Sequence, residues 1–126
     1  MTSAHILIAE DEVLVATDLR DQLRRLGYRT GAIVRSGDEA VRWTINTRPD
    51  LVLMDVRLEG MDGLEAARWI ESVTQTPIIY LTGFPGVFIS KPEEMLGAAL
   101  CLTKPVRMSD LQAVIEIVLR YCAAVN

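Results

Sequence analysis

The sequence predicts an α/β domain built on a doubly wound, five-stranded parallel sheet, and three observations carry that reading. Apolar runs of strand length alternate with amphipathic segments of helix length along the chain. The central runs are apolar on both faces, as strands covered by helices on each side must be. The intervening segments leave room for the crossovers that parallel neighbours require.

The first strand is His5 to Ala9, almost wholly apolar. A helix follows with Val15, Leu19, Leu23 and Leu26 on one face, and Gly27 stands where a helix C′ residue belongs. Thr30 to Val34 makes the second strand. Ser36 and Glu39 form a capping box that opens a helix running to Thr47, which Pro49 ends. Leu51 to Met54 is the third strand. Asp62 and Glu65 are a second capping pair, before a helix carrying Leu64, Ala67 and Ile70. Pro77 precedes the fourth strand, Ile78 to Leu81, and Ala99 to Thr103 makes the fifth. Ser109 and Gln112 are expected to cap a last helix with a buried stripe of Leu111, Val114, Ile115, Val118, Leu119 and Cys122. Gly83 to Lys91 lacks a helical period and contains Pro85, so a long loop is expected there, then a short helix from Pro92 to Gly97.

The 126 residues suit one domain spanning 1–126, with half of them apolar and 24% charged. A formal charge of -4, spread along the chain, speaks against direct binding to nucleic acid. No apolar run reaches membrane-spanning length and no signal peptide opens the chain. Cys101 and Cys122 lack any metal-like spacing and read as free thiols, which points to the cytoplasm.

Ligands on a doubly wound sheet bind at the carboxyl ends of the strands. Here those ends carry Glu10-Asp11-Glu12, Asp55, Thr82 and Thr103-Lys104-Pro105. The layout makes the first, third, fourth and fifth strands neighbours, which collects carboxylates, a hydroxyl and an ammonium in one crevice. Crowded carboxylates repel unless a cation neutralises them, and hard oxygen donors suit Mg²⁺. A carboxylate can also act as a nucleophile and form an aspartyl phosphate, whose charge Lys104 would offset.

The runs Ile6-Leu7-Ile8-Ala9-Glu10-Asp11-Glu12, Leu51-Val52-Leu53-Met54-Asp55, Gly60-Met61-Asp62-Gly63, Pro77-Ile78-Ile79-Tyr80-Leu81-Thr82 and Lys104-Pro105 together resemble the response-regulator receiver domains of two-component systems. The resemblance covers nearly the whole chain and implies a flavodoxin-like fold with strand order 2-1-3-4-5. It implies that Asp55 accepts phosphate from a histidine kinase or a histidine phosphotransfer protein. It assigns Mg²⁺ to Glu10, Asp11, Asp55 and the backbone carbonyl of Arg57. Thr82 and Lys104 would hold the phosphoryl group, and the Lys104-Pro105 bond would be cis. The resemblance describes a switch acting on a downstream protein, not an enzyme in its main role.

Other readings bear on single residues. Asp11 could merely cap the first helix, a role compatible with binding Mg²⁺. Lys91-Pro92 is a second Lys-Pro pair, but choosing it leaves no room for a crossover helix after the fourth strand. His5, the only histidine, opens a strand away from the crevice, and Trp43 and Trp69 read as helix packing residues.

Three departures from the family pattern concern signalling. Cys101 stands where an aromatic residue is usual, Glu59 replaces a common proline, and the segment from Phe84 to Ile89 replaces a regular helix. Phe84, Val87, Phe88 and Ile89 are therefore candidate partner contacts, and Phe84 and Arg57 candidate regulators of phosphoryl lifetime. Relatives commonly pair through the last helix and its neighbouring strand, a homodimer that the altered segment leaves unsupported. A phosphorelay intermediate or phosphate sink would use the same chemistry. A phosphorylation-independent binding module would normally have lost Asp55 or Lys104. A phosphatase with an aspartyl intermediate would want a second aspartate where Arg57 stands.

Overall fold

Ile6, Leu7, Ile8 and Ala9 are all buried, so the first strand needs cover on both faces. The computed structural model, which describes residues 3–83 and 98–125, supplies it. The strands are β1 (His5–Ala9), β2 (Arg29–Val34), β3 (Leu51–Asp55), β4 (Ile78–Thr82) and β5 (Ala98–Thr103). All neighbouring strands run parallel, in the order β2-β1-β3-β4-β5 expected from the resemblance. Strands β2, β3, β4 and β5 each extend one residue beyond the sequence expectation, because ladder pairing continues past the apolar run.

Four helices lie among the described residues: α1 (Val13–Arg25), α2 (Gly37–Thr47), α3 (Gly63–Val73) and α4 (Met108–Val125). One face of the sheet packs Ala16, Leu19 and Leu23 of α1 with Leu111, Ile115 and Val118 of α4. The other packs Ala40 of α2 with Ala66, Ala67 and Ile70 of α3 and the buried ring of Tyr80. The expected long loop and short helix between residues 84 and 97 lie outside the described residues, as does the side chain of Cys122.

The helix ends follow local chemistry. Gly27 has φ of 93°, the Gly27 N–H donates to the Arg24 carbonyl and the Tyr28 N–H to the Leu23 carbonyl, a Schellman closure of α1. Ser36 Oγ accepts from the Glu39 N–H, and Asp62 Oδ1 from the Glu65 N–H.

Three expectations are corrected. The N-cap of α1 is Glu12, with no side-chain cap, so Asp11 does not cap that helix. Helix α4 starts at Met108, with the Leu111 N–H already bonded to the Arg107 carbonyl. Ser109 thus lies inside the first turn, and Gln112 bonds to Glu116 instead of capping. Trp43 and Trp69 sit on helices as expected but are only about half buried, because Ala40, Ala66 and Ala67 take the positions facing the sheet.

Candidate functional site

The crevice forms where β1 and β3 end side by side. Pairing sets Ala9 beside Met54 and Asp55 beside Leu81. Glu10 and Asp55 therefore leave adjacent strands at the same level, and Thr82 lies one residue beyond the β4 partner of Asp55. Glu10, Asp55 and Thr82 are all buried polar residues. A carboxylate oxygen from each of Glu10, Asp11 and Asp55 falls within 4.8 Å of the others.

Lys104 enters from the end of β5. Its N–H donates to the Thr82 carbonyl at 2.8 Å, and the bond to Pro105 is cis, as expected. Lys104 Nζ donates to Asp55 Oδ2 at 2.9 Å and lies 2.5 Å from Glu10 Oε1. A third carboxylate, Glu12, comes within 3.6 Å of the same ammonium. Burial pulls the Lys104 ammonium down, but its bonds to Glu10 and Asp55 outweigh that and hold it above its ordinary value. Burial pushes the Glu10 carboxyl up to about 7, opposed by Lys104 and reinforced by Asp55.

Two turns fix these groups. The Arg57 N–H donates to Asp55 Oδ1 at 3.1 Å, and the Glu12 N–H donates to Glu10 Oε2 at 3.1 Å. Arg57 itself is exposed on the loop after β3. The loop is tied to the start of α2. Ser36 and Glu59 form a parallel bridge, the Gly37 N–H donates to the Glu59 carbonyl, and Arg35 lies 3.9 Å from Glu59. So Glu59 joins two loops through its backbone as well as adding acidity. Gly63 lets the first turn of α3 rest on the Asp55 carbonyl, where any Cβ would clash.

Sequence reasoning passed over Gln22. Its Nε2 donates to the Val106 carbonyl at 3.0 Å and to Asp18 Oδ2 at 2.8 Å, bracing the turn that carries Lys104. The signal was present: a polar residue between Leu19 and Leu23 in a buried stripe. His5 stays away from the crevice, its N–H bonded to Asp50. Cys101 pairs with Tyr80 across the β4–β5 ladder and its thiol is pushed up by burial.

Three oxygen donors converging on one point suit a hard divalent cation. A cation also relieves the repulsion that helps raise Glu10, so the residues present fit Mg²⁺.

Comparison with known proteins agrees with this geometry. The family model described as response regulator receiver domain matches residues 6–116. The transcriptional regulatory protein PdtaR of Mycobacterium tuberculosis is 40% identical over 112 residues, covering 89% of this chain and 55% of that protein. The phyllosphere-induced regulator PhyR of Methylorubrum extorquens is 33% identical, covering 90% of this chain and 43% of its own length. The chain thus spans about half the length of these curated relatives. Among solved structures, the receiver domain of a sensor histidine kinase from Pseudomonas aeruginosa PAO1, with magnesium coordinated in its active-site cleft, is similar at a TM-score of 0.81. It is 33% identical, with 94% of this chain and 98% of that one covered. The signal receiver domain of a modulated diguanylate cyclase from Desulfovibrio desulfuricans G20 is similar at a TM-score of 0.85 and 31% identity, covering 99% of this chain and 100% of that one. With a family match over most of its length, this chain belongs to the response regulator receiver domains.

Proposed function

We propose that residues 1–126 form a single phosphoacceptor receiver unit in which Asp55 takes a phosphoryl group from a phosphohistidine. The observation that carries this reading is the Asp55 carboxylate, held 2.9 Å from Lys104 and within the three-carboxylate cluster. A carboxylate oxygen of Asp55 attacks phosphorus, the P–N bond breaks, and the electron pair leaves with the donor imidazole, which takes a proton. Lys104 offsets charge on the transferred oxygens, and the Thr82 hydroxyl is the group we assign to hydrogen-bond one of them. Glu10, Asp11, Asp55 and the Arg57 carbonyl are the ligands we assign to Mg²⁺, which when bound neutralises charge on the phosphoryl group.

The donor is a histidine kinase or a histidine phosphotransfer protein, and the output acts through a further protein surface. PhyR of Bartonella quintana, a similar structure, is an anti-anti-sigma factor, which supports a protein partner as the target. A cytoplasmic setting fits the free thiol of Cys101. The chain is a switch and not a turnover enzyme.

Incubation with Mg²⁺ and acetyl phosphate, read by intact mass, tests this. The expected result is a Mg²⁺-dependent, base-labile phosphate adduct that the Asp55→Asn variant lacks. An adduct retained in that variant, or no transfer from any phosphohistidine donor, would overturn the assignment.

A further inference from the structure

At the end of β1 far from the crevice, a cavity of about 440 Å³ opens where β2 forms the edge of the sheet. His5, Arg24, Tyr28, Arg29, Thr30 and Gly31 line it. His5 opens β1 and Glu10 follows its last residue, so about 16 Å of strand separate this cavity from the carboxylate cluster.

Local sequence explains the space. Gly31 brings no side chain to the edge strand. His5 pairs with Arg29, so both side chains leave the same face of the sheet, the face that Gly31 also presents. The His5 imidazole covers that glycine, and a Cβ on Gly31 would stand 3.0 Å from His5 Nε2. Thr30 turns to the other face, where α1 lies, and its hydroxyl accepts from Arg24 Nε at 3.1 Å. Arg29 Nε donates to the Ser3 carbonyl, also at 3.1 Å. Each guanidinium is thus oriented through Nε, which leaves its terminal nitrogens for another acceptor. Neither arginine forms an ion pair among the described residues.

The lining is one-sided in charge. In a chain of formal charge -4 it supplies two guanidiniums, an imidazole and a phenol, and no carboxylate. Two acidic groups act on its residues from outside. Asp50 accepts from the His5 N–H, and burial followed by the charge of Glu116 pushes the Tyr28 hydroxyl up, which keeps the phenol a proton donor. Guanidinium forks match the oxygens of phosphate, and an aromatic side chain accepts a planar ring against it. The volume falls in the range that holds small ligands.

We propose that this cavity binds a small phosphate monoester carrying a planar ring, of the size of a nucleoside monophosphate. Arg24 and Arg29 hold the phosphate, and Tyr28 lies against the ring. Binding here stands apart from the phosphoryl chemistry at Asp55 and does not depend on it.

Backbone amide shifts of the nitrogen-15-labelled full chain, titrated with AMP in metal-free buffer, locate the ligand directly. Saturable shifts are expected at Tyr28, Arg29, Thr30 and Gly31, with weaker binding of adenosine or inorganic phosphate alone and a loss of affinity as salt is raised. Arg24 and Arg29 are exposed, so Arg24→Gln and Arg29→Gln should keep the fold, and each should weaken AMP binding by roughly fivefold or more. Gly31→Val fills the space while leaving both arginines in place, and it should abolish binding. No saturable shift at these four amides up to about 10 mM AMP would overturn the proposal. So would shifts confined to Glu10, Asp11, Glu12 and Asp55, inorganic phosphate binding as tightly as AMP, or AMP binding unchanged in all three variants.

Discussion

Gly63 rests against the main-chain carbonyl of Asp55, so closely that a Cβ built on it falls far inside van der Waals contact with that oxygen. The obstructing atoms are backbone, with no flexible side-chain end to swing away. Gly63→Ala is expected to lower the unfolding free energy by about 2–3 kcal/mol. If Asp55 is the acceptor proposed above, the substitution should also slow phosphorylation by displacing the start of α3 from that residue. Urea denaturation measures the first effect, and a change under about 0.5 kcal/mol would mean that the loop gives way freely.

Gly27 provides the contrasting case. Its φ of 93° favours glycine, yet nothing lies within 4 Å of its notional Cβ. Gly27→Ala should therefore cost only about 1 kcal/mol, a purely conformational penalty. Gly27→Asn should cost less, since asparagine tolerates this region better. Equal losses for the two variants in thermal melts would point to something other than backbone conformation.

The contrast bears on what could be read from the chain. The Gly27 C′ position was legible because it follows a periodic apolar stripe, and the two capping boxes were legible because their spacing is local. The doubly wound layout made the first, third, fourth and fifth strands neighbours, and the family resemblance added the place of the second, since nothing local in a strand names its neighbour. At the crevice, strand ends were enough to bring Glu10, Asp11, Asp55 and Lys104 into one set. The sequence did not indicate that Glu12 would share the Lys104 ammonium or that Gln22 would brace Val106, because both contacts join distant stretches. Exposure of Trp43 and Trp69 was missed because an amphipathic pattern gives a helix face without saying which border residues the neighbouring helix will cover.

The raised Glu10 carboxyl predicts a pH dependence. Its folded value of about 7 lies above the ordinary 4.5, so between these limits the folded chain holds a proton that the unfolded chain has released. Stability contributed by this group is complete below the unfolded value and is lost as pH rises through about 7. In metal-free buffer the urea midpoint should fall from about pH 5 to about pH 8, and more steeply than in Glu10→Gln. Parallel slopes for the two proteins would contradict this origin. Added Mg²⁺ should flatten the wild-type curve, because a bound cation favours the ionised carboxylate.

Gln22 predicts a link between core and site. Gln22→Leu removes the donor to the buried Val106 carbonyl, which should cost about 1–3 kcal/mol. The same change loosens the turn two residues beyond Lys104, so the phosphorylation rate should fall by more than in a core variant of equal stability. Leu23→Ala, on the same helix but without a bond to that turn, is the comparison. Equal rates in the two would reduce Gln22 to an ordinary packing residue.

Gly37 against Met61 and Gly63 against Asp55 have a mechanical consequence. Side chains meeting in a core absorb small displacements by changing rotamer, but these contacts are made by main chain on one side and bare Cα on the other. With the hydrogen bonds from the Gly63 N–H to the Val56 carbonyl and from the Gly37 N–H to the Glu59 carbonyl, the loop after β3 has little compliance of its own. A push on the Asp55 backbone reaches the first turns of both helices with little slack to take it up.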